Sequence, residues 1–243
     1  MKGVILAGGL GTRMQPCTLV TNKHLLPVFN KPMVHYPIEA MVKMGITEIM
    51  VVTGGHFAGD FLKLLKNGKD FGLKNLDYAY QEGEGGIADA LSLAEDYAGG
   101  DSICVILGDN IFEYSLKPAA DKFRAQGKGA RVLLKEVHDA ERFGVAEISG
   151  NKITNIIEKP KNPPSKLAVT GAYFFDNQVF SFIKNIQPSA RGELEITDVN
   201  NLYARSGQLE FDVVEGWWTD AGTFPSLLRA SNFVAEGGAN KDK

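Results

Sequence analysis

The stretch Gly3-Val4-Ile5-Leu6-Ala7-Gly8-Gly9-Leu10-Gly11-Thr12-Arg13 constrains this chain more than any other: a short apolar run breaks straight into glycines and a fixed positive charge. Four consecutive apolar residues, Val4 to Ala7, mark a strand covered on both faces rather than one with a wet side. Gly8, Gly9 and Gly11 let the main chain turn tightly and bring bare N–H groups close to an anion, with Arg13 beside them. That combination is a place to hold phosphates; a tight strand-to-loop turn without a ligand is the competing reading of the stretch alone. The spacing is not the dinucleotide-binding fingerprint, because the third glycine is missing and the next strand ends in Thr53-Gly54 without the acidic residue a ribose needs. Nor is it a P-loop, because no Gly-Lys-Ser/Thr follows.

Around this strand the chain alternates strand and helix. The pattern predicts a loop over 15–30, a helix over 31–44 with Pro32 in its first turn, a strand over 48–53, a helix over 58–66, a strand over 76–81, a helix over 87–97 and a strand over 102–107. Met33, Tyr36, Met41 and Met44 read as core-facing residues of the first helix rather than a binding stripe. Strand and helix in turn imply parallel strands with helices on both faces, and ligands in such sheets sit beyond the carboxyl ends of the strands. The loops at 8–13, 81–86 and 108–110 all fall there, so three segments converge on one crevice. The second half reads as strands over 130–136, 145–148, 152–157, 168–175 and 208–214 with helices over 177–186, 195–206 and 224–236. No flexible linker divides the halves, which predicts one domain over 1–236 with a single continuous sheet and added hairpins. Residues 237–243, rich in Gly, Lys and Asp, read as a disordered tail.

A net charge of −3 leaves no basic footprint, so a nucleic-acid polymer is not an expected partner. No apolar run approaches the roughly 20 residues that span a bilayer. The two cysteines, Cys17 and Cys104, suit free thiols, and the expected compartment is the cytoplasm.

Several further residues carry chemical possibilities. Asp109 ends the apolar run Ile103 to Leu107 and is followed by Asn110. A carboxylate at the tip of a buried strand suits a hard cation such as Mg²⁺, although a solvated Asp-Asn turn looks the same. Asp220, after Trp217-Trp218-Thr219, offers a second carboxylate, or else a helix-start residue behind a packed aromatic anchor. Glu158-Lys159-Pro160 suits a phosphorylated sugar, the carboxylate accepting from hydroxyls and the ammonium holding a phosphate; a basic loop is the alternative. Arg191 to Asp198 reads as an acid-rich helix start. The four histidines show no ligand spacing and no serine or cysteine has a nucleophile's context, so no covalent mechanism is expected.

Taken in order, Ala7-Gly8-Gly9-Leu10-Gly11-Thr12-Arg13, Lys23 before Leu25-Leu26-Pro27, Lys31-Pro32-Met33, Gln81, Leu107-Gly108-Asp109-Asn110, Phe143-Gly144-Val145, Glu158-Lys159-Pro160, Val169-Thr170-Gly171 and Trp218-Thr219-Asp220-Ala221-Gly222-Thr223 closely resemble the sugar-1-phosphate nucleotidyltransferases, in particular the branch that joins dTTP to glucose 1-phosphate. The resemblance implies a Rossmann-like α/β fold with a mixed, mostly parallel sheet flanked by helices. It implies that Leu6, Gly8, Gly9, Gly11, Thr12, Arg13, Lys23, Gln81, Gly86 and Asp109 bind the nucleotide, Gln81 through a paired amide donor and acceptor on the base. It further implies that Asn110, Gly144, Glu158, Lys159 and Val169 hold the sugar phosphate, that Asp109 and Asp220 hold Mg²⁺, and that Arg13, Lys23 and Lys159 serve catalysis. The product would be dTDP-glucose with pyrophosphate, feeding dTDP-sugar synthesis of the dTDP-L-rhamnose type, from a homo-oligomer. UTP, another sugar, or a non-catalytic nucleotide-binding role are the alternatives. The likeness ends soon after the helix from Phe224, where many members continue, so a short form without end-product feedback is expected.

Overall fold

The computed structural model describes residues 1–242. In chain order the first half comprises β1 (Lys2–Ala7), the small hairpin β2 (Pro27–Val28) and β3 (Lys31–Pro32), α1 (His35–Lys43), β4 (Glu48–Gly54), α2 (Ala58–Leu65), β5 (Asn75–Gln81), α3 (Ile87–Ser92), α4 (Glu95–Ala98), β6 (Ile103–Leu107), β7 (Asn110–Phe112) and α5 (Lys117–Gln126). The second half comprises β8 (Ala130–Glu136), β9 (Gly144–Ser149), β10 (Lys152–Glu158), β11 (Leu167–Phe175), α6 (Gln178–Ile183), α7 (Ile196–Arg205), β12 (Leu209–Val213), β13 (Trp218–Asp220) and α8 (Phe224–Gly237).

Nine strands form one sheet in the order β10-β9-β11-β6-β1-β4-β5, with β8 on β11 and β12 on β8. β1 lies between β4 and β6, parallel to both. β5 adds parallel to β4. β11 runs antiparallel to β6, β8 and β9, and β10 antiparallel to β9, so every strand except β10 and β11 points the same way. The sheet is therefore mixed and mostly parallel, as expected.

The apolar run of β1 explains the layers. Alternate residues point to opposite faces of a strand. Val4 and Leu6 enter a core built with α3, α4, α6 and α7, including Leu91, Phe180 and Tyr203. Ile5 and Ala7 enter a second core built with α1, α2 and α5, including Met41, Phe61 and Phe123. A third, smaller cluster seats α8 through Ala230 and Val234 on Val28, Met33 and Tyr36. Met33, Tyr36, Met41 and Met44 are core residues, as expected.

Four local expectations are revised. The first helix starts at His35, not residue 31, because Lys31–Pro32 pairs with Pro27–Val28. The helix expected over 87–97 is two short ones, broken at Leu93-Ala94. α5 and β7 were not anticipated. From residue 238 the chain does not leave the surface: Asn240 is buried, its N–H donates to Phe112 O and its Nδ2 to Tyr36 O, and Lys241 pairs with Glu113 at 2.7 Å. Residue 243, the end of the expected tail, lies outside the described residues.

Candidate active site

The carboxyl ends of β1, β4, β5 and β6 open on one side of the sheet, and two connected cavities lie there. The first, about 510 Å³, is lined by the glycine loop and by the ends of β5 and β6. Leu6, Gly8, Gly9, Thr12, Arg13, Lys23, Gln81, Gly86 and Asp109 all face it. Gly11 does not; at φ 68° it turns the chain into the short 3₁₀ turn Thr12–Met14 that carries Arg13. Asn22 braces this loop: its Nδ2 donates to Ala7 O, and its Oδ1 accepts from His24 N–H at 2.9 Å and from His24 Nδ1 at 2.8 Å. Because that oxygen only accepts, Nδ1 carries the ring proton. Burial, then the neighbouring Lys23 charge, push His24 down to about 3, so its imidazole is neutral at physiological pH.

The second cavity, about 360 Å³, is lined by β7, β9, β10, β11, β13 and α7. Asn110, Gly144, Glu158, Lys159 and Val169 face it, as does Asp220. Asn110 is fixed from three sides: its Oδ1 accepts from Gly171 N–H at 2.9 Å and Trp218 Nε1–H at 2.7 Å, and its Nδ2 donates to Asp109 Oδ1 at 3.0 Å. Trp218 is thus both a packed anchor, 5.1 Å from the Phe143 ring, and an orienting donor. Glu158 accepts from Thr197 Oγ1 at 2.6 Å and lies 3.4 Å from Lys159 Nζ. Lys159 follows β10 at φ 44°, a left-handed conformation that costs a non-glycine residue about 1–3 kcal/mol and clusters at functional sites.

Arg13, Ile87, Leu107, Asp109 and Lys159 line both cavities, so the two meet at these residues and form one cleft. A short antiparallel pair brings the acids together: Asp220 of β13 sits opposite Asn110 of β7, and Ala221 N–H donates to Asp109 O at 2.7 Å. A Cβ placed on Gly222 would lie 3.1 Å from Asp109 Oδ2, 3.8 Å from Asp220 Oδ2 and 3.6 Å from Arg13 Nη2. Burial would raise Asp109, but the Lys23 ammonium at 2.6 Å, with the Asn110 hydrogen bond, holds it well below the usual carboxylate range. Asp220 is raised instead, by burial and then by the negative charge of Asp109, with Arg142 at 3.1 Å pulling the other way. Two hard oxygen donors facing one cleft, the charge of one raising the other, are a donor set that fits a cation of the Mg²⁺ type.

Arg142, Arg191 and His24 also face the cleft and were not anticipated as site residues. Arg142 bridges Asp139 and Asp220; its signal was its place directly before Phe143-Gly144. Arg191 lines the first cavity and reaches Glu195 at 2.8 Å and Glu158 at 3.6 Å. Its acid-rich segment leads into a helix start, as expected, with Glu195 at the N-cap of α7 and Asp198 in the first turn. His24 lacked any ligand spacing and left no signal.

The profile of the nucleotidyl transferase family matches residues 2–237. The glucose-1-phosphate thymidylyltransferase of Neisseria meningitidis is 45% identical over 96% of this chain and 82% of its own length. A Bacillus anthracis protein provisionally described as a glucose-1-phosphate thymidylyltransferase, crystallised with sucrose, superposes with a TM-score of 0.94 at 50% identity, each chain covered completely. A UDP-glucose pyrophosphorylase complexed with UDP-glucose, at 24% identity, shares the fold with a TM-score of 0.84 over 97% of this chain and 98% of that one. With its glycine loop, its two joined cavities and a family profile spanning nearly its whole length, this chain belongs to the nucleotidyl transferase family.

Proposed function

We propose that the protein transfers deoxythymidylate from dTTP to glucose 1-phosphate, forming dTDP-glucose and pyrophosphate. The observation that carries this reading is the meeting of two cavities at Asp109, one floored by a phosphate-type glycine loop and the other lined by Asn110, Glu158 and Lys159. Relatives at 40–45% identity are named for this reaction.

An oxygen of the sugar phosphate attacks the α-phosphorus of the nucleotide. A new P–O bond forms as the bond to the β-phosphate oxygen breaks, and its electron pair leaves with pyrophosphate. The nucleophile is already an anion, so no base is required. Catalysis is then alignment and charge neutralisation, effects worth several kcal/mol when reactants are held in near-attack geometry. The cleft supplies alignment through the rigid Asn110 network and the Glu158–Thr197 pair. Arg13, Lys23, Arg142, Lys159 and Arg191 are the cations that line it; Lys23 is paired with Asp109, Arg142 with Asp220, Lys159 with Glu158 and Arg191 with Glu195. Lys23 therefore acts in part through Asp109, keeping it ionised. Mg²⁺ held by Asp109 and Asp220 would neutralise phosphate charge when bound. No described helix is long and apolar enough to cross a membrane, and with two unpaired cysteines we place the reaction in the cytoplasm.

Pyrophosphate release with Mg²⁺ and glucose 1-phosphate, offering dTTP, UTP, CTP, ATP and GTP separately, tests the reading. Release chiefly with dTTP is expected. Release chiefly with UTP would keep the chemistry and change the product; silence with all five overturns the proposal.

A further inference from the structure

Gln81 ends β5 with its side chain facing the first cavity, and the structure leaves it less free than its chemistry allows. A glutamine amide carries two hydrogens and one acceptor oxygen. Here Nε2 lies 2.7 Å from Asp89 Oδ2 and 3.2 Å from Gly86 O. Both partners only accept, so both hydrogens are used. The orientation of the amide is fixed by the same fact, because turning it over would set Oε1 against a carboxylate and a carbonyl. The paired donor and acceptor expected of Gln81 thus reduces to an acceptor. Glycines clear the arrangement on both sides: a Cβ on Gly8 would stand 2.8 Å from Gln81 Oε1, and one on Gly85 would strike the Asp89 carboxylate. Asp89 is delivered by the first turn of α3, which follows Gly86 at φ 98°.

We infer that Asp89 is a positioning residue that holds Gln81 as a pure hydrogen-bond acceptor, so that the site selects a pyrimidine by the N–H at ring position 3. The inference rests on the reading of this cavity as the nucleotide site. Thymine and uracil present N3–H to such an acceptor. Cytosine presents a lone pair at N3, which would face Gln81 Oε1 without a proton between them. A site built to pair with an N–H rejects an analogue lacking it far more strongly than a methyl-sized difference allows. With Asp89 gone, only the Gly86 carbonyl still opposes the flip, so turning the amide over to offer Nε2 to cytosine costs less.

The test is kcat/KM for dTTP and for dCTP with Mg²⁺ and glucose 1-phosphate, in the wild type, Asp89→Ala and Asp89→Asn. The Ala variant is expected to lose about tenfold or more in the dTTP:dCTP ratio, the scale of one hydrogen bond. The loss should appear as a raised KM for dTTP with KM for glucose 1-phosphate unchanged. Asparagine keeps an acceptor oxygen at the same reach and is expected to hold the ratio within about threefold of wild type. Should Asp89→Ala fail to fold by circular dichroism, Asp89→Ser reports the same quantity, since its hydroxyl is too short to reach Nε2. A folded Ala or Ser variant with the wild-type ratio, including one in which both nucleotides slow equally, overturns the inference. A wild type that turns over neither nucleotide instead overturns the underlying functional reading, and the inference with it.

Discussion

Asp109→Asn separates what Asp109 does for the fold from what it does for chemistry. The side chains of Asp109 and Lys23 are each 12% exposed and lie 2.6 Å apart. Breaking a buried pair by removing one charge costs about 3–5 kcal/mol, because the other charge is left uncompensated. Asparagine still offers Lys23 an oxygen, so we expect the low end, about 3 kcal/mol. For a chain of this size each kcal/mol moves Tm by about 2–4 °C, which predicts a drop of about 6–12 °C at pH 7 by calorimetry. The wild-type advantage has a definite pH window. Asp109 is held below its unfolded value of about 4, so its contribution is complete above that pH and is lost as pH falls through the lowered folded value. The Tm gap should therefore be flat from about pH 5 to 8 and close only in acid. Adding Lys23→Met removes the stranded ammonium and should recover stability to within about 1 kcal/mol of wild type. Activity should not recover: losing a charged ligand at the reacting centre is expected to cost about 10³-fold in kcat in both variants, about 4 kcal/mol. The reasoning is refuted if Asp109→Asn melts with the wild type at pH 7, or if either variant keeps kcat within tenfold of wild type.

Two further perturbations probe the neighbouring contacts. In Gly171→Ala the new Cβ would stand 2.5 Å from Asn110 Nδ2, and three hydrogen bonds keep Asn110 from yielding; we expect a loss of about 1–3 kcal/mol and a raised KM for glucose 1-phosphate, checked by denaturant melts and steady-state kinetics, with unchanged values contradicting the role of Asn110. Arg142→Ala removes a cation that opposes the upward shift of Asp220, so Asp220 should bind its proton more tightly still; the acid limb of kcat/KM, measured at limiting Mg²⁺, should move to higher pH, and an unmoved limb would detach Asp220 from metal binding.

The sequence was most readable where burial is two-sided. β1, β4 and β6 are near-continuous apolar runs because helices cover both faces of the sheet, and the ends of β1 and β6 placed Gly8 and Asp109 beside one crevice. Sugar-side residues such as Gly144 and Val169 were legible only through family resemblance, since nothing in their local pattern brings β9, β10 and β11 to the same cavity. The juxtaposition of Asp109 with Asp220 depends on β7 and β13, strands of three residues each, too short to leave a periodic signal. α5 did carry signals, Pro118 in its first turn and Gly127 at its end, but its buried face is mostly Ala119, Ala120 and Phe123, and alanines do not draw an apolar stripe. The break between α3 and α4 has neither glycine nor proline. The 237–243 segment reads as polar and unstructured, yet Asn240 satisfies two backbone partners, one of them Tyr36 O, which composition cannot reveal. The spent hydrogens of Gln81 depend on a carboxylate eight residues away on the next helix, a contact that exists only once Gly86 has turned the chain.

The most direct test of the account is the stereochemistry of transfer. A single diastereomer of dTTP carrying sulfur at the α-phosphorus, given with Mg²⁺ and glucose 1-phosphate, reports through the configuration of the thio-substituted product by ³¹P NMR. One in-line displacement between the two cavities predicts a thio-dTDP-glucose with inverted configuration. Retention would require a covalent enzyme intermediate, and release of thio-dTMP without transfer to the sugar would leave the second cavity without its role; either result contradicts the account.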